Sequence, residues 1–103
     1  MSAHLEEART LAALLGLLAN ENRLLLLCAL LDGPRTVGEL AKEVPVSLPA
    51  LSQHLHRLRD AGLVTSEKQG QFVRYSLRDQ RLRAVLAVLR REYCPQQEEM
   101  KSF

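Results

Sequence analysis

Tryptophan is absent from this 103-residue chain, and the aromatic residues together make up only 4% of it. A core without large rings has to be filled by leucine and alanine, residues that favour helices. No run of about 18 uncharged apolar residues occurs, so no membrane span is expected. The opening M-S-A-H-L-E-E-A-R is charged and lacks the apolar segment of a secretory signal, which makes a cytoplasmic location the expectation. Only two cysteines are present. In a reducing compartment such a pair is more often reactive than a structural disulfide. No glycine-rich phosphate loop and no Cys/His or Ser/His/Asp grouping occurs, so neither an enzyme nor a bound cofactor is expected.

The length fits one domain over residues 1–103. The 47% hydrophobic content is enough for a core, but a thin one for an isolated monomer. The net charge of +2 conceals an uneven distribution: between Leu51 and Arg91, nine cations against three acids leave +6. Such a basic half is the electrostatic footprint of a phosphate-binding surface, although a solvated arginine-rich helix at residues 78–91 accounts for part of it.

Leu5–Leu18 carries Leu5, Ala8, Leu11, Ala12, Leu15 and Leu18 at helical spacing, widened by Leu14 and Leu17. A first helix this apolar is expected to pack against something beyond its own core. Asn20 suits the cap of a second helix, which Gly33-Pro34 stops. Its run Leu24–Leu31 is apolar all round, the pattern of a buried central helix with Cys28 inside or at a seam. Thr36-Val37-Gly38-Glu39 is a capping box that starts a short third helix with Val37, Leu40, Ala41 and Val44 on its inner face. Pro45-Val46 breaks it. Ser47 then caps a fourth helix, in which Pro49 is tolerated in the first turn.

That fourth helix, S-L-P-A-L-S-Q-H-L-H-R-L-R, is the stretch around which the rest is organised. Leu48, Leu51, Leu55 and Leu58 share one side; Gln53, His56 and Arg57 hold the other, with Pro49 and Ser52 beside them and His54 on the flank. Alone, this pattern suits an ordinary amphipathic surface helix. After a short helix and a turn, it reads as the second half of a helix-turn-helix, aimed at base edges in the DNA major groove. Asp60-Ala61-Gly62 closes it. The period then changes: Val64–Lys68 and Phe72–Leu77 read as strands, joined at Gln69-Gly70, with Val73, Tyr75 and Leu77 inward. A hairpin at this point is a wing, and Lys68, Gln71 and Arg74, expected near its tip, suit contact with backbone or minor groove. Asp79–Tyr93 is a last helix with Leu82, Val85, Leu86 and Leu89 as its stripe, extended to Tyr93, and Arg81, Arg83, Arg90 and Arg91 outward; Pro95 ends it, and the tail at 96–103 is expected to fray. The fold class is therefore mainly α with a small β-hairpin: four helices, two strands and a fifth helix, as a winged helix-turn-helix. The expected DNA-binding set is Ser47, Pro49, Ser52, Gln53, His54, His56, Arg57, Lys68, Gln71 and Arg74.

The residues A-N-E-N-R, L-L-L-L-C-A-L-L-D-G, T-V-G-E-L-A, L-S-Q-H-L-H-R-L-R-D-A-G-L-V and V-R-Y-S-L resemble the ArsR/SmtB family of dimeric bacterial repressors, nearly throughout the chain. The resemblance implies a homodimer joined through the first and last helices, bound to an inverted-repeat operator in double-stranded DNA and released by an inducer. Metal and metalloid sensors of the family carry a cysteine pair on the third helix, or Asp and His ligands on the last. Here the third helix reads Glu39-Leu40-Ala41-Lys42 without a thiol, and of the last-helix ligands only Asp79 matches. No metal site is expected. Cys28 and Cys94 instead resemble the cysteine pair of the family's sulfide- and persulfide-sensing branch (the SqrR, BigR and HlyU type), with Pro95 directly after Cys94 as a departure. The branch implies a reactive sulfur species or an oxidant as inducer, and a disulfide or a longer sulfur bridge as the product. A metal-responsive repressor and a winged-helix protein-docking module are the alternatives. Beside a buried Cys28, whose pKa should rise, Cys94 is expected to be the first nucleophile, helped by Arg90 and Arg91.

Overall fold

Short-range capping decides where the helices of this chain begin. The computed structural model describes residues 2–94. It contains α1 (Ser2–Leu18), α2 (Glu21–Leu31), β1 (Arg35–Thr36), α3 (Val37–Glu43), α4 (Leu48–Asp60), β2 (Val64–Gln69), β3 (Phe72–Leu77) and α5 (Gln80–Tyr93). The expected helix stop at Pro95 and the tail beyond it lie outside the described residues.

At the start of α2 the Asn20 carboxamide accepts from the amides of Asn22 and Arg23, at 3.0 and 3.1 Å. The Thr36 hydroxyl accepts from the Glu39 amide at 3.2 Å, and the Glu39 carboxylate accepts from the Thr36 amide at 2.9 Å, which completes the capping box of α3. Asp79 caps α5 by accepting from the Arg81 amide at 2.8 Å. Between α1 and α2 the chain turns by 89°. No single described helix is long and apolar enough to cross a membrane.

The hairpin gains a strand that the sequence reading lacked. β1 pairs antiparallel with β3, Arg35 opposite Tyr75 and Thr36 opposite Arg74, so the sheet has three strands in the order β1-β3-β2. A two-residue strand shows no alternation of its own, and its partner lies far along the chain. The wing's loop is Gly70-Gln71, because Gln69 already pairs with Phe72. Gly70 has φ +63° and Gln71 has no positive φ, as a type II′ turn with glycine at its first central position requires.

The core is almost wholly aliphatic. Leu26, Leu27 and Leu30 of α2 meet Leu40 and Val44 of the α3 segment, Leu51, Leu55 and Leu58 of α4, Val64, Tyr75 and Leu77 of the sheet, and Leu82 and Leu86 of α5. Three expectations change. Leu48 falls outside the buried stripe, 64% exposed at the first turn of α4. The second helix is not buried all round: Leu25 is 43% exposed, and Leu24 and Cys28 are half-buried. One side of α2 is covered by α3, α4 and β3, while α5 leaves its other flank partly open. Arg83, expected outward, is half-buried instead and donates to the Leu31 carbonyl at 2.6 Å, satisfying one of the unpaired acceptors at the end of α2.

Candidate nucleic-acid face and thiol groove

The outer face of α4 is set by its inner one. With Leu51, Leu55 and Leu58 fully buried, the helical period turns Pro49, Ser52, Gln53, His56 and Arg57 to solvent and leaves His54 half-buried on the flank. Ser47 fixes the entry of α4, its hydroxyl accepting from the Ala50 amide at 3.3 Å. The exit is a Schellman motif: the amide of Gly62 (φ +78°) donates to the Arg59 carbonyl at 2.9 Å, and that of Leu63 to the Leu58 carbonyl at 3.0 Å. Both ends of the helix are thereby held, and the side chains between them share a fixed platform. Burial pulls the His54 imidazole below its ordinary value, and the nearby Arg23 and Arg57 guanidiniums pull in the same direction.

Arg23 carries a second duty that its sequence context did not signal. Its guanidinium donates to the carbonyls of Leu17 (2.6 Å) and Gly16 (3.3 Å), closing the C-terminal end of α1. It thus stands between α1 and the flank of α4. Arg59 turns toward the wing, donating to the Ser66 hydroxyl at 3.2 Å.

On the wing, Lys68 and Gln71 are exposed next to the turn. Arg74 is not at the tip. It lies on the central strand opposite both Glu67 and Thr36, half-buried, with its Nε enclosed and, among the described residues, without a hydrogen-bond partner. The expected set therefore divides into exposed side chains on α4 and the wing tip, one flanking histidine, and one arginine in mid-sheet.

The two cysteines come together on the opposite side of α2. A cavity of about 630 Å³ opens between α2 and α5, lined by Glu21, Leu24, Leu25 and Cys28 from α2 and by Leu86, Leu89, Arg90, Tyr93 and Cys94 from α5 and its end. The thiols are unbonded; Cys28 is half-buried and Cys94 exposed. Burial pushes the Cys28 thiol up, the Arg90 guanidinium pulls it back, and Cys94 and Asp32 nearby add to the rise. Arg90, exposed as expected, also forms one of the walls of the groove. Its position four residues before Cys94 agrees with the expected pairing of the two, since i and i+4 share a helix face; its reach to Cys28 across the groove was not expected. Among the described residues no group of three or more His, Cys, Asp or Glu side chains converges as metal ligands would.

Apolar surface also remains on the outside of α1 and α5. Leu5, Leu11 and Leu15 of α1 point away from the core, as do Val85, Val88, Leu89 and Tyr93 of α5. Only the second half of α1, through Leu14, Leu17 and Leu18, packs on the rest of the chain.

Comparison with known proteins agrees with this architecture. Residues 20–66 match the bacterial regulatory proteins of the arsR family. The HTH-type transcriptional regulator YgaV of Escherichia coli (strain K12) is 42% identical over 89 residues, covering 85% of this chain and 90% of YgaV. The transcriptional activator HlyU of Vibrio cholerae is 47% identical over 81 residues, covering 79% of this chain and 75% of HlyU. The solved structure of reduced HlyU from Vibrio cholerae superposes with a TM-score of 0.85 at 40% identity, over 91% of this chain and 99% of that one. HlyU is among the proteins whose branch the cysteine placement resembles. The chain belongs to the arsR family of bacterial regulatory proteins and is a winged helix-turn-helix, DNA-binding transcriptional regulator, not an enzyme.

Proposed function

We propose that this regulator is a homodimeric repressor that occupies an inverted-repeat operator and leaves it when Cys28 and Cys94 react with sulfane sulfur. The observation that carries the switch is that the chain's two cysteines, one at each helix of a pair, line one cavity. A buried structural cysteine would not require a second thiol in the same groove. That the similar HlyU of Vibrio cholerae has been solved in a reduced form supports this reading.

On the DNA side, Gln53, His56 and Arg57 supply base-edge contacts, while Ser47, Pro49, Ser52 and His54 lie toward the backbone. Lys68 and Gln71 meet phosphate or minor groove, and Arg74 contributes field from mid-sheet. A two-fold dimer through α1 and α5 covers the exposed leucines of both helices and sets the two α4 helices about 34 Å apart, one turn of DNA.

The sulfur chemistry balances without an added oxidant. A cysteine thiolate attacks the outer sulfur of an organic persulfide, the donor's S–S bond breaks, and the donor leaves as a thiolate that takes up a proton. A second transfer persulfidates the other cysteine. The terminal sulfur of one protein persulfide then attacks the inner sulfur of the other, displacing hydrosulfide and closing a trisulfide between Cys28 and Cys94. The bridge ties the end of α5 to α2 and biases the spacing of the reading heads. A bias of a few kcal/mol is enough to empty the operator.

Intact-protein and peptide mass spectrometry after exposure to an organic persulfide tests the chemistry. The expected product joins the Cys28 and Cys94 peptides within one chain through at least one added sulfur. Modification confined to one cysteine, or bridges only between chains, contradicts it.

A further inference from the structure

The groove is far larger than the two sulfur atoms that face it. Its volume of about 630 Å³ falls inside the roughly 300–1,000 Å³ of small-molecule sites. A water-sized reactant such as sulfide or peroxide fills only about 30 Å³. The wall is leucine and the Tyr93 ring, interrupted by two charged side chains, Glu21 and Arg90. The Cys94 amide donates to the Arg90 carbonyl at 2.9 Å, which keeps Arg90 and Cys94 one helical turn apart on the same face. Across the groove, Arg90 is close enough to Cys28 for its charge to act on that thiol. Among the described residues Arg90 makes no ion pair, whereas its neighbours on α5, Arg81 and Arg91, pair with Asp79 and Glu92. A guanidinium that lines the same apolar, ligand-sized groove as two thiols has the chemistry to bind an anion attached to an organic body.

We propose that Arg90 is an anion subsite that holds the carboxylate of an organic persulfide donor and so presents its outer sulfur to Cys28 and Cys94. The inference rests on the two-cysteine switch proposed above and names the donor class: a carboxylate-bearing persulfide rather than inorganic sulfide. Arg90 is a positioning residue. The carboxylate stays unchanged while the donor's S–S bond breaks and its thiol departs. Glu21, the other charge in the groove, opposes an anionic donor and sets the direction in which selectivity can be raised.

The test uses two donors of one shape, the persulfide of 3-mercaptopropionate and that of its uncharged amide. The rate of persulfidation at each cysteine is followed by mass spectrometry on the full chain. The readout is the ratio of the two rates, from which any general change in thiol reactivity cancels. In wild type the carboxylate donor should react about fivefold faster, the scale of an exposed ion pair. The ratio should fall to about one in Arg90→Gln, survive in Arg90→Lys, and rise in Glu21→Gln. A wild-type ratio near one, or a ratio unchanged in Arg90→Gln, overturns the subsite while leaving the cysteine switch intact. If neither donor modifies wild type, the subsite and the switch fail together.

Discussion

The helix-turn-helix and the α2–α5 groove are built largely from leucine, and leucine ends differently in each. In the helix-turn-helix, Leu40, Leu51, Leu55 and Leu58 are sealed, with Leu48 at the first turn of α4 the exception, and every helix start there carries a side-chain cap. Along the groove and the outer helices, Leu11, Leu15, Leu25 and Leu89 remain exposed in the single chain. The difference is one of self-sufficiency. A reading head must hold its shape whatever state the protein is in, so its packing closes within one chain. A switch must have surface left over that can be covered in more than one way.

Truncating leucines breaks this comparison most strongly. Leu55→Ala, inside the sealed region, should cost ~2–5 kcal/mol of unfolding free energy in urea titrations. Leu11→Ala should cost the folded chain far less and appear instead as weaker self-association in sedimentation. Equal losses of folding stability at the two positions would remove the distinction.

On the face of α4, Gln53→Ala and Arg57→Ala should each cost ~1–3 kcal/mol of operator binding and relax sequence preference. Lys68→Ala should weaken all duplexes alike and lower the salt slope by about 1, without changing which sequence is preferred. Unchanged operator affinity in both α4 variants would mean that another face meets the DNA.

Thr36→Ala removes the cap that starts the helix-turn-helix and should cost about 1 kcal/mol. The same box has a pH signature. Hydrogen bonds from Thr36 hold the Glu39 carboxyl below its ordinary value. The stabilisation is therefore full above the ordinary glutamate range and is lost as pH falls through the lowered value. Because the largest part of that lowering comes from the Thr36 backbone amide, which alanine keeps, the variant that should flatten this acid limb of the stability profile is Glu39→Gln, which removes the titrating group.

The smallest effect expected is kinetic and belongs to the groove. With the Cys28 thiol pushed up by burial, its alkylation at neutral pH should lag behind that of the exposed Cys94, and its rate should keep climbing at pH values above the ordinary thiol range. Faster labelling of Cys28 at neutral pH would reverse the order of nucleophiles.

What was legible in the sequence was what local rules encode. Asn20, Thr36, Ser47 and Asp79 all act as caps where their spacing indicated. The leucines of α4 point inward except Leu48, which is exposed in the first turn. What was not legible depended on partners distant in the chain. β1 exists because Arg35 and Thr36 meet β3. Arg83 faces inward because the Leu31 carbonyl lies unpaired within its reach. Arg74 was assigned to the wing tip by its distance from the turn in sequence, but the extra strand puts it in the middle of a sheet. In the groove, the cysteine pair was found by resemblance, and Arg90 was tied by its spacing to Cys94 but not to Cys28. Its helical offset from Cys94 was visible; the crossing of α2 that turns its face of α5 into a wall was not.

In the proposed switch the groove governs the reading heads through its two thiols together. The direct measurement is operator affinity for wild type, Cys28→Ser and Cys94→Ser, each before and after an organic persulfide, on the inverted repeat recovered by selection from random duplexes. All three proteins should bind alike untreated, and only wild type should lose affinity on treatment. A persulfide response that survives in either single variant rules out a switch that needs both thiols.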